Sequence, residues 1–178
     1  MITLFILFYL VVGLYTGARR GLTLQLVYIA GYFITFIIAL MNYEGLAKLI
    51  SVYIPYPSYV PGNQLVIFSQ AQAMELDQPF YKLVAFLMIM ILGWLVVRFF
   101  CYISCELTFL PLFKQFNTIS GAVLGFLMNY LFIYFILYTI AMIPASPMQK
   151  IVEGGLPNLI ITKTPILTQL VSNWLLSK

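Results

Sequence analysis

Four stretches of this sequence, 2–18, 22–41, 83–97 and 119–143, contain no charged side chain. Blocks of that length and apolarity are the signature of helices dissolved in a bilayer, where each backbone N–H and C=O must be satisfied within its own segment. The expectation is an all-α integral membrane protein with four spans, at about 2–18, 22–41, 82–103 and 119–143. Composition agrees: 63% of the residues are hydrophobic and 8% charged, against roughly 25% charged in a soluble domain. The first charge-free run to Thr16 would cover only about 22 Å of a hydrocarbon core of roughly 30 Å. It reaches across if the helix continues to Ala18 while Arg19 and Arg20 extend to the headgroups.

The formal charge of +4 comes from 9 basic and 5 acidic residues. The basic residues stand singly near the ends of apolar runs, where they serve topology and contact with anionic lipid, so nucleic acid is excluded as a partner. The start, Met1-Ile2-Thr3, lacks a basic leader and Gly17-Ala18-Arg19 is a poor cleavage site, so the first run reads as a retained helix. Cys101 and Cys105 lie one helical turn apart. With no histidine in the chain, they read as small packing side chains, and no metal or other cofactor is expected. No nucleophile–base pair or embedded carboxylate is present to support an enzyme or an ion-coupled transporter.

The membrane domain is read as 1–143, with an outer loop at 42–79 rich in turn-formers between Ile54 and Gly62. Within that loop, Tyr43 to Tyr53 could extend the second helix. Leu65 to Leu76 could form an interfacial helix with Phe68 and Met74 dipping inward. Tyr53, Tyr56 and Tyr59 suit an interfacial aromatic belt. A short link from Glu106 to Thr118, with Pro111 and Lys114, makes the third and fourth helices antiparallel neighbours. The tail, 144–178, passes Gly154-Gly155-Leu156-Pro157. It then offers an amphipathic helix at about 165–177, with Thr164 as N-cap, Pro165 at its first position and Trp174 on an apolar face at the membrane interface. The short basic corner Ala18-Arg19-Arg20-Gly21 is assigned to the cytoplasm, which places both termini outside.

Gly13, Gly17 and Gly21 share one helix face, and Gly121 and Gly125 repeat the spacing. Such faces let helices approach closely in lipid, within one chain or between copies. Gly31 and Gly93 join them as close-approach positions. Arg98 interrupts the third apolar run, and is read as either extending to the inner headgroups or lining a polar path with Glu106 nearby. The intramembrane polar residues Gln25, Asn117 and Asn129 are candidates for interhelical hydrogen bonds.

Two patches carry a family resemblance. Gly17-Ala18-Arg19-Arg20-Gly21-Leu22-Thr23-Leu24-Gln25-Leu26, followed by Gly31 and Ala39, is similar to a G-x-x-R-G corner and a glycine-bearing second helix. Phe116-Asn117-Thr118-Ile119-Ser120-Gly121-Ala122-Val123-Leu124-Gly125 is similar to an Asn-x-x-x-Gly-x-x-x-Gly entry to a fourth helix. Over roughly residues 1 to 145 the chain resembles the colicin V production protein (CvpA-like) family of small bacterial membrane proteins. It departs from the common pattern at Thr3, Gln25, Met128 and Asn129. The resemblance implies a plasma-membrane location and a role in toxin production or export and envelope function. The expected mode is assembly through helix–helix contacts with further copies of the chain or with an export or envelope protein. The alternative is a small channel or transporter with Arg98, Asn129 and Gln25 lining its path.

Overall fold

The computed structural model describes residues 2–57, 65–103 and 114–176. Among these it contains seven helices and no strand: α1 Ile2–Tyr53, α2 Gln70–Ala73, α3 Asp77–Ile103, α4 Lys114–Ala141, α5 Ser146–Glu153, α6 Gly155–Thr162 and α7 Pro165–Leu176. Three are long and apolar enough to cross a membrane: α1, α3 and, within α4, Gln115–Ala141. The expected turn positions 58–62 (Tyr59 among them), together with Cys105, Glu106 and Pro111, lie outside the described residues.

Helix α1 consists of two helical segments joined at Gly21, whose φ of 72° and ψ of 175° are non-helical. That region of backbone space is in practice reserved for glycine, so the break is written into the chain at this residue. The segment after it runs on past the apolar block to Tyr53.

By internal packing the chain divides into two compact units. The first comprises the described parts of Thr3–Met41 and Met88–Ile133, the second those of Asn42–Leu87 and Tyr134–Lys178. The first unit is the apolar one. Many of its large side chains, including Phe5, Phe8, Phe33, Leu92 and Val123, are exposed on the protein surface, as lipid-facing residues would be.

In the second unit, Ala47 and Ile50 of α1 pack on Ala85 of α3, with Tyr43, Leu46, Tyr81 and Val84 around them. The tail differs from its expectation. Two further helices, α5 and α6, precede α7. Val171 and Leu175 of α7 are buried, and the Trp174 ring lies edge-on to Tyr43 at 5.0 Å and to Phe86 at 5.2 Å. Trp174 is therefore held by aromatic contacts within the chain. The hydroxyl of Thr164 donates back to the Ile160 carbonyl. The helix expected over Leu65 to Leu76 shrinks to the four residues of α2, opened by a capping box between Ser69 and Gln72. Phe68 is buried against the Tyr138 ring, and Met74 is exposed.

Candidate functional site

Helix α4 presents Asn117, Gly121, Gly125 and Asn129 at every fourth position, and the first segment of α1 presents Tyr9, Gly13, Gly17 and Gly21 at the same interval. A four-residue step keeps side chains on one helix face. In the first unit these two faces meet, running in opposite directions. A Cβ built on Gly121 would lie 2.5 Å from the Gly17 carbonyl oxygen and 2.7 Å from the Gly21 carbonyl carbon. One on Gly17 would strike the Gly121 carbonyl oxygen, and one on Gly125 the Gly13 carbonyl oxygen. The two backbones thus touch, and no larger residue fits between them.

An asparagine closes each end of this contact. Asn129 donates from Nδ2 to the Tyr9 carbonyl at 2.9 Å, and a Cβ on Gly13 would come within 2.7 Å of that nitrogen. Asn117 accepts through Oδ1 from Leu22 N at 2.6 Å and Thr23 N at 3.4 Å. These amides open the helical segment after Gly21 and lack intrahelical acceptors. A residue 95 positions away performs the task normally given to a local N-cap. In lipid, where apolar burial gives no net gain between helices, close van der Waals packing and such hydrogen bonds carry the association, each bond contributing about 0.6–2 kcal/mol.

A second close contact joins the later part of α1 to α3. A Cβ on Gly31 would sit 2.7 Å from Val97 Cγ1, and one on Gly93 would strike the Thr35 methyl. The Thr35 hydroxyl turns inward to donate to the Gly31 carbonyl at 3.0 Å. Of the glycines singled out in the sequence, all are therefore held against other parts of this chain, within the first unit.

The arginines are arranged differently. Arg20 is half-buried, with its Cζ 4.0 Å from the Tyr28 ring centroid; Arg19 is exposed, 6.0 Å from that of Tyr15. Arg98 is exposed and lies over Trp94 at 4.9 Å. Gln25 is only 2% exposed, and among the described residues its Oε1 has no hydrogen-bond partner, nor has the buried Oγ1 of Thr23. Among the described residues no hydrogen bond or ion pair joins Arg98, Gln25 and Asn129, which are the three residues of the channel alternative. No group of histidine, cysteine or carboxylate side chains able to hold a metal occurs among the described residues either.

The second unit is organised by residues whose pairing no sequence motif announces. Buried Gln149 accepts from Val66 N at 3.0 Å and donates to the carbonyls of Ala141 at 3.1 Å and Ile143 at 2.7 Å. It thereby satisfies the Ala141 acceptor left open at the end of α4. Tyr81 accepts from Tyr56 N at 2.9 Å and donates to the Ile54 carbonyl at 2.6 Å, while the Tyr56 hydroxyl donates to the Met142 carbonyl at 2.6 Å. Burial first, with Asp77 and Tyr81 adding to it, pushes the Tyr56 hydroxyl up to about 12. Tyrosines next to a proline-rich turn were the available signal for this cluster; for Gln149 there was none.

The sequence model of the family described as "Colicin V production protein" matches residues 2–165. A Bacillus subtilis (strain 168) protein described as "Uncharacterized transmembrane protein YshB" is 29% identical over 172 residues, 96% of this chain and 95% of its own length. No solved structure matches the chain.

Proposed function

We propose a function from one premise: the chain belongs to the colicin V production protein family. On this reading it is a non-enzymatic plasma-membrane protein that crosses the bilayer four times and supports toxin production or export and envelope function by binding partners within the membrane. The observation that carries the reading is the interlock of Gly13, Gly17 and Gly21 with Gly121 and Gly125, closed by Asn117 and Asn129. The intramembrane asparagines and glycines are spent on building a close-packed scaffold, and no group of side chains able to hold a metal accompanies them among the described residues. The faces left for partners are then the exposed ones, around Tyr102, Phe116 and Val123.

Four crossings are supported by the length and pairing of the helices. Helix α1 has 52 residues, about 78 Å if straight, more than twice a hydrocarbon core. Its first segment runs antiparallel to α4 and its second antiparallel to α3. Helices α3 and α4 are joined through residues 104–113 and meet at Phe86 and Phe135, 5.5 Å apart, as antiparallel neighbours do. By parity the two segments of α1 then oppose each other, with Gly21 as the reversal. The positive-inside bias assigns the Arg19–Arg20 corner to the cytoplasm and both termini to the outside.

A photo-crosslinking residue in place of Tyr102 or Phe116, used in native membranes, tests the proposal. The expected result is a discrete crosslinked partner of reproducible identity, with no solute flux from reconstituted liposomes. The second reading, a small channel or transporter, draws on the oxygens of Gln25 and Thr23 that have no partner among the described residues. Solute flux abolished by Arg98→Leu would establish it and overturn the first.

A further inference from the structure

We infer that the first unit carries a binding site for an anionic phospholipid headgroup, its phosphate taken by Arg20 and Arg98 with Arg19 at the rim. The first observation is charge. Arg19, Arg20 and Arg98 all belong to this unit, and its described residues include no aspartate or glutamate: Glu44, Glu75, Asp77 and Glu153 belong to the second unit, and Glu106 lies outside the described residues. The second is convergence. Arg20 lies over the ring of Tyr28 on α1, and three residues further along the same segment Gly31 packs against Val97, the chain neighbour of Arg98 on α3, so the two cations come to adjacent turns of one segment from two directions.

The third is free donor capacity. Tyr28 and Trp94 lie against the guanidinium groups of Arg20 and Arg98. Stacking of this kind uses the face of the cation and leaves its edge N–H groups for an acceptor. Among the described residues those N–H groups meet no hydrogen-bond acceptor or carboxylate. A guanidinium edge matches two phosphate oxygens at once. The fourth is the rim: Arg98 is flanked by Leu95 and Phe99, 51% and 64% exposed, so the occupant brings acyl chains as well as a phosphate. That combination selects a lipid over a soluble anion.

The test uses the purified full-length chain in detergent, titrated with phosphatidylglycerol, phosphatidylcholine or inorganic phosphate and followed by thermal unfolding and native mass spectrometry. Phosphatidylglycerol should bind and raise the unfolding temperature, and the other two should not. Each of Arg20→Gln and Arg98→Gln should weaken binding roughly fivefold, and Arg98→Lys should recover part of the loss. Arg98→Gln alone suffices if Arg20→Gln fails to fold, since Arg98 is exposed and touches Trp94. Equal binding of phosphatidylcholine, or equal stabilisation by inorganic phosphate, would overturn the proposal. So would an equal loss in Lys163→Gln, a change in the second unit that reads out bulk charge. The site stands apart from the assembly reading: lipid binding is measured on the isolated chain, partner capture in native membranes.

Discussion

The side-chain oxygen of Asn117 accepts the backbone N–H of Leu22 at 2.6 Å, so helix α4 caps the helical segment that begins after the Gly21 break. The same oxygen reaches Thr23 N at 3.4 Å. A cap supplied from a distant helix couples two events that are normally separate, the start of a helix and its docking.

Asn117→Ala removes both functions and should destabilise the protein by about 1–2 kcal/mol, the cost of losing an N-cap. Asn117→Asp keeps an acceptor at the same place and should recover most of that loss. Unfolding in mixed micelles reads both. Equal losses in the two variants would show that the acceptor oxygen is not what matters.

Gly121→Ala places a methyl group 2.5 Å from the Gly17 carbonyl oxygen. The neighbour is backbone and has no rotamer to yield, so the helices must separate, at a cost of about 1–3 kcal/mol or more. Gly45, also in α1, has only open space where a Cβ would stand. Gly45→Ala should instead stabilise by up to about 1 kcal/mol through helix propensity. A paired unfolding measurement distinguishes the two, and loss of stability at Gly45 alone would contradict the packing described.

Gln149→Leu leaves Val66 N and the Ala141 carbonyl without their partner, while the Ile143 carbonyl keeps its bond from Ala145 N. Unpaired buried polar groups cost about 1–3 kcal/mol each, discounted where water reaches them, so a loss above about 2 kcal/mol is expected. Gln149→Glu should fare little better, because a carboxylate faces two carbonyl oxygens. Thermal unfolding checks both, and a neutral Leu variant would show that water replaces the staple.

The Tyr56 hydroxyl is held near 12 in the folded chain, against 10.0 for a free tyrosine. Between those values the unfolded chain has released its proton while the folded chain retains it, so raising the pH favours unfolding. The stability contributed is whole below about pH 10 and lost as the pH passes about 12. The unfolding midpoint should fall across this window in the natural chain and fall less in Tyr56→Phe. Identical slopes would assign the titration to another group.

Much of the first unit was legible because lipid imposes strong patterns. Charge-free blocks marked the helices, and small residues four apart marked faces where backbones approach. The family resemblance rested on the same residues, Gly17 to Leu26 and Asn117 to Gly125, and the family match extends from there over nearly the whole chain. Periodicity names a face but not its partner, so Gly17 and Gly121 were each visible while their contact was not. Asn117, Gly121, Gly125 and Asn129 share one interval, yet only their meeting with Tyr9 to Gly21 gives that interval meaning. The second unit was less legible. Helices α5 and α6 are short and rest on packing more than on pattern, and a single glutamine such as Gln149 carries no periodic signal at all.

The glycine contact also has a temporal side. Leu22 and Asn117 are 95 residues apart in sequence, and Tyr9 and Asn129 are 120 apart. At synthesis rates of about 5–20 residues per second, the first helical segment waits roughly 5–20 s for its partner to be made. Through that interval its bare backbone stripe faces lipid or whatever helix diffuses past, since chain order places the hydrophobic segments of α3 in between. Biogenesis of this protein therefore passes through a stage in which its closest-fitting surface is unoccupied, and the arrival of α4 closes it.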